Sequence, residues 1–230
     1  MDVFYANITL RGPEQLETAA HLNRRERLAF VSPEVNGHVV VYEKRMEDQD
    51  IGDMSELASE LSSHFSCPAL AVLVHDDAML WYGLHDRGEL MDQYNSTPGY
   101  FVPGKRELRS TGGNSEALCQ AFAPEADRRA IHEVLQAPAL QRGRYKPASE
   151  RHAALVEALA APRFSVGVGY MAISAGLLPV GLAPGSLMHS AFLRPPAYEP
   201  PVSMKVVTRA LPVGAGLAVP GHQLTRRLAL

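Results

Sequence analysis

Apolar and polar residues alternate from Val3 to Leu10, with Phe4, Ala6, Ile8 and Leu10 on one face and Tyr5, Asn7 and Thr9 on the other. That is the two-residue period of a half-buried strand. Arg11-Gly12-Pro13 ends it, and Pro13 suits the first turn of a helix running to about Glu26, with Leu16, Ala19, Ala20 and Asn23 along one stripe. Leu28 to Ser32 and His38 to Glu43 read as a hairpin joined through Pro33-Glu34-Val35-Asn36-Gly37, in which Asn36-Gly37 supplies the positive φ of the turn. The next helix is the clearest in the chain. Behind Asp50 or Asp53 as N-cap, Met54, Leu57, Ala58, Leu61 and Phe65 form a single apolar stripe.

Beyond Pro68 the period returns to two. Strands over Ala69 to Val74, Met79 to Leu84 and Glu89 to Tyr94 are separated by His75-Asp76-Asp77 and Asp86-Arg87-Gly88, and turns this short force an antiparallel meander. The order β-α-β-β-α-β followed by two strands predicts an α+β protein: an antiparallel ferredoxin-like sheet, extended by the meander, with both helices on one face. The other face needs a cover, for which the carboxy-terminal half is the candidate. Tyr100 to Gly113 reads as a long loop. Three helices follow: one capped by Asn114 and carrying Leu118, Cys119 and Phe122; one entering at Pro124 with Ile131, Val134 and Leu135; and one capped by Ser149 with His152, Leu155 and Leu159. Phe164 to Met171 predicts a further strand, with Gly167 and Gly169 where another backbone approaches. The chain thus divides into a sheet domain over 1–110, a helical segment packed on it over 111–173 and a proline-rich extended arm over 174–230.

Charge sets the arm apart. It carries Arg194, Lys205, Arg209, Arg226 and Arg227 against Glu199, a charge of +4, so the rest of a chain whose total is −3 carries −7. Eight of the seventeen prolines lie there, which favours extended segments and turns. Leu187 to Leu193, Val202 to Leu211 and Leu224 to Leu230 are nonetheless apolar enough to require burial, so the arm either wraps its own body or adds an edge strand to a partner. The chain as a whole, 230 residues with 46% apolar and 20% charged, is ordinary for a globular protein. Its net acidity removes the basic field on which most nucleic-acid binders rely. Met1 to Asn7 has no basic n-region and no apolar h-region, which makes the cytoplasm the expected location. The longest apolar stretch, Ala172 to Ala183, is too short to span a membrane. Cys67 and Cys119, far apart and without a CxxC, read as buried thiols.

No motif in the chain specifies an activity. His75-Asp76-Asp77 and His85-Asp86 look like donor sets for a hard or borderline metal, but the strand between them separates them by roughly 25 Å. The third strand of the meander returns Tyr94-Asn95-Ser96 to the end that carries His75-Asp76-Asp77. That end is therefore the candidate site: His75, Asp76 and Asp77 as metal ligands, and His75, Asp77, Tyr94, Asn95 and Ser96 as catalytic groups. The competing explanation is turn chemistry, in which Asp and Asn side chains bond their own backbone. Gly167-Val168-Gly169 lacks the third glycine and helix of a dinucleotide loop, so no cofactor is implied there. His132-Glu133 lacks the second histidine of a zinc-protease helix, and Ser186 and His189 have no GxSxG elbow. Trp81, Tyr82 and Tyr94 read as aromatic core, since the neighbouring acids would repel phosphate.

Val74-His75-Asp76-Asp77, the segment Tyr94-Asn95-Ser96-Thr97-Pro98-Gly99-Tyr100-Phe101, and Gly112-Gly113 with the helix to Phe122 resemble a group of uncharacterised bacterial proteins. These share a strand ending in His-Asp, a Tyr-Asn-Ser-x-Pro-x-Tyr-Phe segment and a following pair of glycines. The resemblance covers residues 1 to 182 and implies no activity; it directs attention to Tyr94 to Phe101. The expectation that follows is a non-enzymatic binding or interaction protein, forming a homo-oligomer or meeting a protein partner through its arm. The alternative is a metal-dependent hydrolase or other small-molecule enzyme using the His75, Asp77 and Asn95 end of the sheet.

Overall fold

The structure, a computed structural model, describes residues 3–102, 109–138, 140–141, 144–145 and 147–192. Its elements in chain order are β1 (Tyr5–Arg11), α1 (Gln15–Arg24), β2 (Ala29–Val31), β3 (His38–Glu43), α2 (Ile51–Phe65), β4 (Pro68–His75), β5 (Met79–Asp86) and β6 (Glu89–Asn95). There follow β7 (Thr111–Gly112), α3 (Ser115–Phe122), α4 (Arg128–Gln136), the two-residue strands β8 (Leu140–Gln141) and β9 (Arg144–Tyr145), α5 (Ala148–Ala158), α6 (Tyr170–Ser174) and β10 (Met188–His189). Eight strands form one antiparallel sheet in the order β10-β2-β3-β1-β4-β5-β6-β7. The protein is thus mixed α+β, with the described residues in one unit, Met1–Pro196.

The sheet is covered on both faces. On one, α1 and α2 bring Ala19, Leu22, Met54, Leu57 and Leu61 onto Ile8, Val41, Ala71, Leu73 and Trp81. Burying each of the larger α2 side chains contributes about 2 kcal/mol of transfer free energy. Asp50 caps α2 through its side chain, accepting from the Asp53 amide at 3.0 Å, and Ser66 ends it in the left-handed region. On the other face α3, α4 and α5 bring Leu118, Phe122, Ile131, Leu135 and Leu155 onto Tyr5, Val72, Val74, Tyr82 and Tyr94. Asn114 caps α3 by accepting from the amides of Glu116 and Ala117. Among the described residues no helix is long and apolar enough to cross a membrane.

Double coverage corrects several expectations. β1 is not half-buried: Tyr5 to Leu10 are all buried, because α5 and the chain after it close the face that carries its polar residues. Those polar side chains turn to interior partners, Tyr5 to His152 and Asn7 to the carbonyls of Ser165 and Val168. Leu16 is 55% exposed, since α1 turns Thr18, Ala19, His21 and Leu22 inward instead. α4 starts at Arg128 behind Asp127, whose carboxylate accepts from the Arg129 amide, and Pro124 belongs to the preceding turn. Ser149 lies inside α5 and does not cap it.

No strand forms over Phe164 to Met171. Both neighbours of β3 are already in place, Gly167 turns at φ +79, and Asn7 takes the carbonyls that a ladder would need. The segment forms a 3-10 turn, Arg163–Ser165, and then the short helix α6. Of the expected arm, residues 174–192 are described. They run through turns, then β10 pairs Met188 with Val31 and His189 with Phe30. Ser190 fastens this segment, its hydroxyl donating to the Arg27 carbonyl and accepting from the Ala29 amide. The apolar stretches Val202 to Leu211 and Leu224 to Leu230 lie outside the described residues.

Candidate functional site

Position on the sheet follows from register and parity. His75 ends β4 and pairs with Met79, while Asn95 ends β6 opposite Trp81, itself opposite Leu73. Side chains facing each other in a ladder share a face, so His75, Leu73, Trp81 and Asn95 all point toward α2. His75 and Asn95 thus share one end and one face of the sheet. Two strand spacings and a two-residue offset still leave them about 12 Å apart. Tyr94, one residue earlier, points to the opposite face. Its ring stacks on Tyr82, and its hydroxyl donates to the Leu135 carbonyl at 2.7 Å while accepting from Arg151 at 3.0 Å. The sheet therefore separates Tyr94 from His75, two groups that the sequence placed at one corner.

The β4–β5 turn has Asp76 and Asp77 in succession in the left-handed region, at φ 52 and φ 48, which Asp tolerates better than most residues. Each carboxylate has a task. Asp76 Oδ2 accepts from the Tyr100 hydroxyl at 2.6 Å. Asp77 Oδ1 accepts from the Ser149 amide at 2.8 Å, and the Asp77 carbonyl accepts from the Ala148 amide at 2.8 Å. Asp77 thereby satisfies two orphan amides at the start of α5, where a negative charge also suits the helix dipole.

Asn95 and Ser96 are likewise engaged. Asn95 Oδ1 accepts from the Thr97 amide, an Asx turn, and the Ser96 hydroxyl accepts from the Leu80 amide. The Thr97 hydroxyl donates to the Ala78 carbonyl, so this corner knits the end of β6 to the β4–β5 turn. Asn95 also lines a cavity of about 250 Å³ with Ile51, Trp81 and Thr111. Among the described residues no group of three or more His, Cys, Asp or Glu side chains gathers as a metal ion requires.

His75 is different. Its Nδ1 meets the side-chain oxygen of Gln49, whose own amide nitrogen donates to the Val74 carbonyl. An oxygen acceptor at Nδ1 assigns a proton to that nitrogen. Around the ring stand three aromatic side chains, all edge-on: Phe4 at 4.8 Å, Phe101 at 4.9 Å and Tyr100 at 5.6 Å between centroids. Phe4 is 48% exposed and Phe101 62% exposed. Their gathering was not legible in the sequence, where Phe4 reads as an inward strand residue and Tyr100 and Phe101 as loop. The one signal was indirect: the resemblance already singled out Tyr94 to Phe101.

Two buried groups have roles that the sequence did not reveal. Arg151, 2% exposed, donates to the carbonyls of Val134, Leu135 and Ala137 as well as to Tyr94, and so closes the carboxyl end of α4. His152, fully enclosed, pairs its Nδ1 with the Tyr5 hydroxyl at 2.8 Å, and burial pushes its pKa down to about 3. No family model matches the chain, and no curated protein and no solved structure matches it either.

Proposed function

We propose that the protein is a non-enzymatic binding protein that docks a second protein through the rings around His75. The supporting observation is the exposure of Phe4 and Phe101, each about half or more in water while packed edge-on against an imidazole that Gln49 holds in place. Large apolar rings fixed at one exposed point are the kind of anchor that protein interfaces use. The polar groups beside them are occupied: Asp76 by Tyr100, Asp77 by α5, and Asn95 by its own turn. A metal-dependent hydrolase built on His75, Asp77 and Asn95 therefore has the weaker support.

The order β2-β3-β1-β4, with α1 and α2 as the crossovers on one face, supports classing this part as ferredoxin-like. A cytoplasmic setting is supported by Cys67 and Cys119, both buried and unpaired. The basic arm, +4 beside a body of −7, supports a role in assembly.

A photo-crosslinking phenylalanine analogue placed at Phe101 in living cells tests the docking surface. A discrete protein adduct is expected that is lost with Phe4→Ser and absent when the probe sits at Glu89, exposed at the far end of β6. Adducts of equal yield at 101 and 89, or none at 101, overturn the proposal. Light scattering on the full chain and on residues 1–192 tests the arm, and the same number of subunits in both removes it from assembly.

A further inference from the structure

α1 carries two apolar stripes, and the sheet takes one of them. Ala19 and Leu22 turn inward with Thr18 and His21, whereas Leu16, 55% exposed, and the half-buried Ala20 lie four residues apart on the outer side. Beside them the last turn of α2 sets Phe65, whose ring meets His21 at 5.6 Å and His64 at 4.7 Å between centroids, both edge-on. His64 in turn stacks on His21 at 3.8 Å, so the aromatic group is held from two helices. Leu16, Ala20 and Phe65 form the apolar part of a surface hollow of about 460 Å³, which Glu17, Arg24 and His64 complete. An outward apolar stripe beside a hollow is a surface suited to another helix.

Charge defines which helix fits. Glu17 in the first turn of α1 and Arg24 in the last are exposed, and neither has an ion pair among the described residues. Seven residues, or two helical turns, separate them, so they stand on one stripe about 10 Å apart with Ala20 between. A helix laid antiparallel over that stripe must offer a cation opposite Glu17, an anion opposite Arg24 and an apolar knob for the hollow. α1 of a second copy, related by a two-fold axis passing near Ala20, offers them in that order. The partner's Arg24 then meets Glu17, the partner's Glu17 meets Arg24, and the partner's Leu16 enters the hollow beside Phe65. Ala20, small and near the axis, lets the two helices approach to about 8 Å. We propose that this face of α1 is a self-complementary interface through which two copies of the chain pair. It shares no residue with the rim around His75 or with the arm.

Sedimentation equilibrium of the full chain tests the pairing. An interface built on one helix is small, so the expected dissociation constant is on the order of 100 µM. Glu17→Arg sets arginine against arginine at both ends of the interface, and Arg24→Glu sets glutamate against glutamate. Each variant alone should therefore pair at least about tenfold more weakly than the unaltered chain. An equimolar mixture of the two restores both ion pairs and should pair as tightly as the unaltered chain does. Leu16→Glu should abolish pairing. All three positions are exposed, so the variants keep the fold. A full chain that stays monomeric to about 1 mM overturns the proposal. So does association that Leu16→Glu leaves unchanged, as in an assembly held by the arm, or a mixture that pairs no better than its components.

Discussion

The Oδ1 oxygen of Asp77 accepts the amide hydrogen of Ser149 at 2.8 Å, joining two residues 72 positions apart. Through this bond the β4–β5 turn acts as the cap that α5 lacks in its own sequence, since Pro147 at its N-cap makes no side-chain bond. A carboxylate that looks like a metal ligand in the sequence is thus the tie between the sheet and the helical layer.

Asp77→Ala should therefore destabilise the protein by about 1 kcal/mol, as the loss of an N-cap does, and lower Tm by roughly 2–4 °C. Asp77→Asn, which keeps an acceptor, should recover most of that. Added Mg²⁺ or Zn²⁺ should leave Tm of the unaltered protein unchanged, because a ligand bound only by the native state would raise it. A rise that depends on Asp77 would restore the metal reading.

Arg151 closes α4 with no ion pair to a carboxylate among the described residues, its bonds going to three main-chain carbonyls and the Tyr94 hydroxyl. Arg151→Met keeps much of the apolar stem but strands those acceptors, so a loss of about 2–3 kcal/mol is expected in urea unfolding. Arg151→Lys should recover little, since one ammonium cannot span the carbonyls that the planar guanidinium bridges. Wild-type stability in Arg151→Lys would show that charge alone suffices.

Local periodicity made the strands and helices readable as far as Phe122, because each is specified within its own few residues. Position across the sheet was less accessible. Alternation alone separates Tyr94 from Asn95, and applying it would have kept Tyr94 away from His75. Coverage is non-local: nothing near β1 reveals that α5 buries Tyr5, or that Asn7 will bond Ser165. The same holds for the rim at His75, where Phe4, Gln49 and Phe101 come from three separate stretches of chain. The strand expected over Phe164 to Met171 failed for the converse reason, since its local pattern suits a ladder but no sheet edge is open beside it.

The paired glycines after the long loop have a steric reason. Gly112 sits at φ +71 against β6, where an added Cβ would overlap the Gln93 carbonyl oxygen, and Gly113 at φ +91 abuts the Tyr94 ring. Gly112→Ala should unpair β7 from β6 and loosen the packing of Tyr94, seen as faster amide exchange at Gly113, whose N–H bonds the Gln93 carbonyl. Unchanged protection at Gly113 would show that the strand can shift to admit a methyl group.

Acid should unfold this protein earlier than its carboxylates alone would require. His152 ionises near pH 3 in the native core, against an ordinary value of 6.5, because burial opposes its charge. His21, His38, His85 and His189 are shifted the same way, each chiefly by burial. Between the two values the unfolded chain holds a proton that the native ring refuses, so stability is full above about pH 6.5 and falls as pH drops toward 3. From about pH 7 to about pH 5, His152 alone should account for a loss of about 2 kcal/mol. Urea midpoints across that range measure it. His152→Asn keeps an acceptor for the Tyr5 hydroxyl but cannot titrate, so it should be less stable at neutral pH yet show a shallower acid dependence. Equal slopes for the two proteins would mean that the native core accommodates a charged His152.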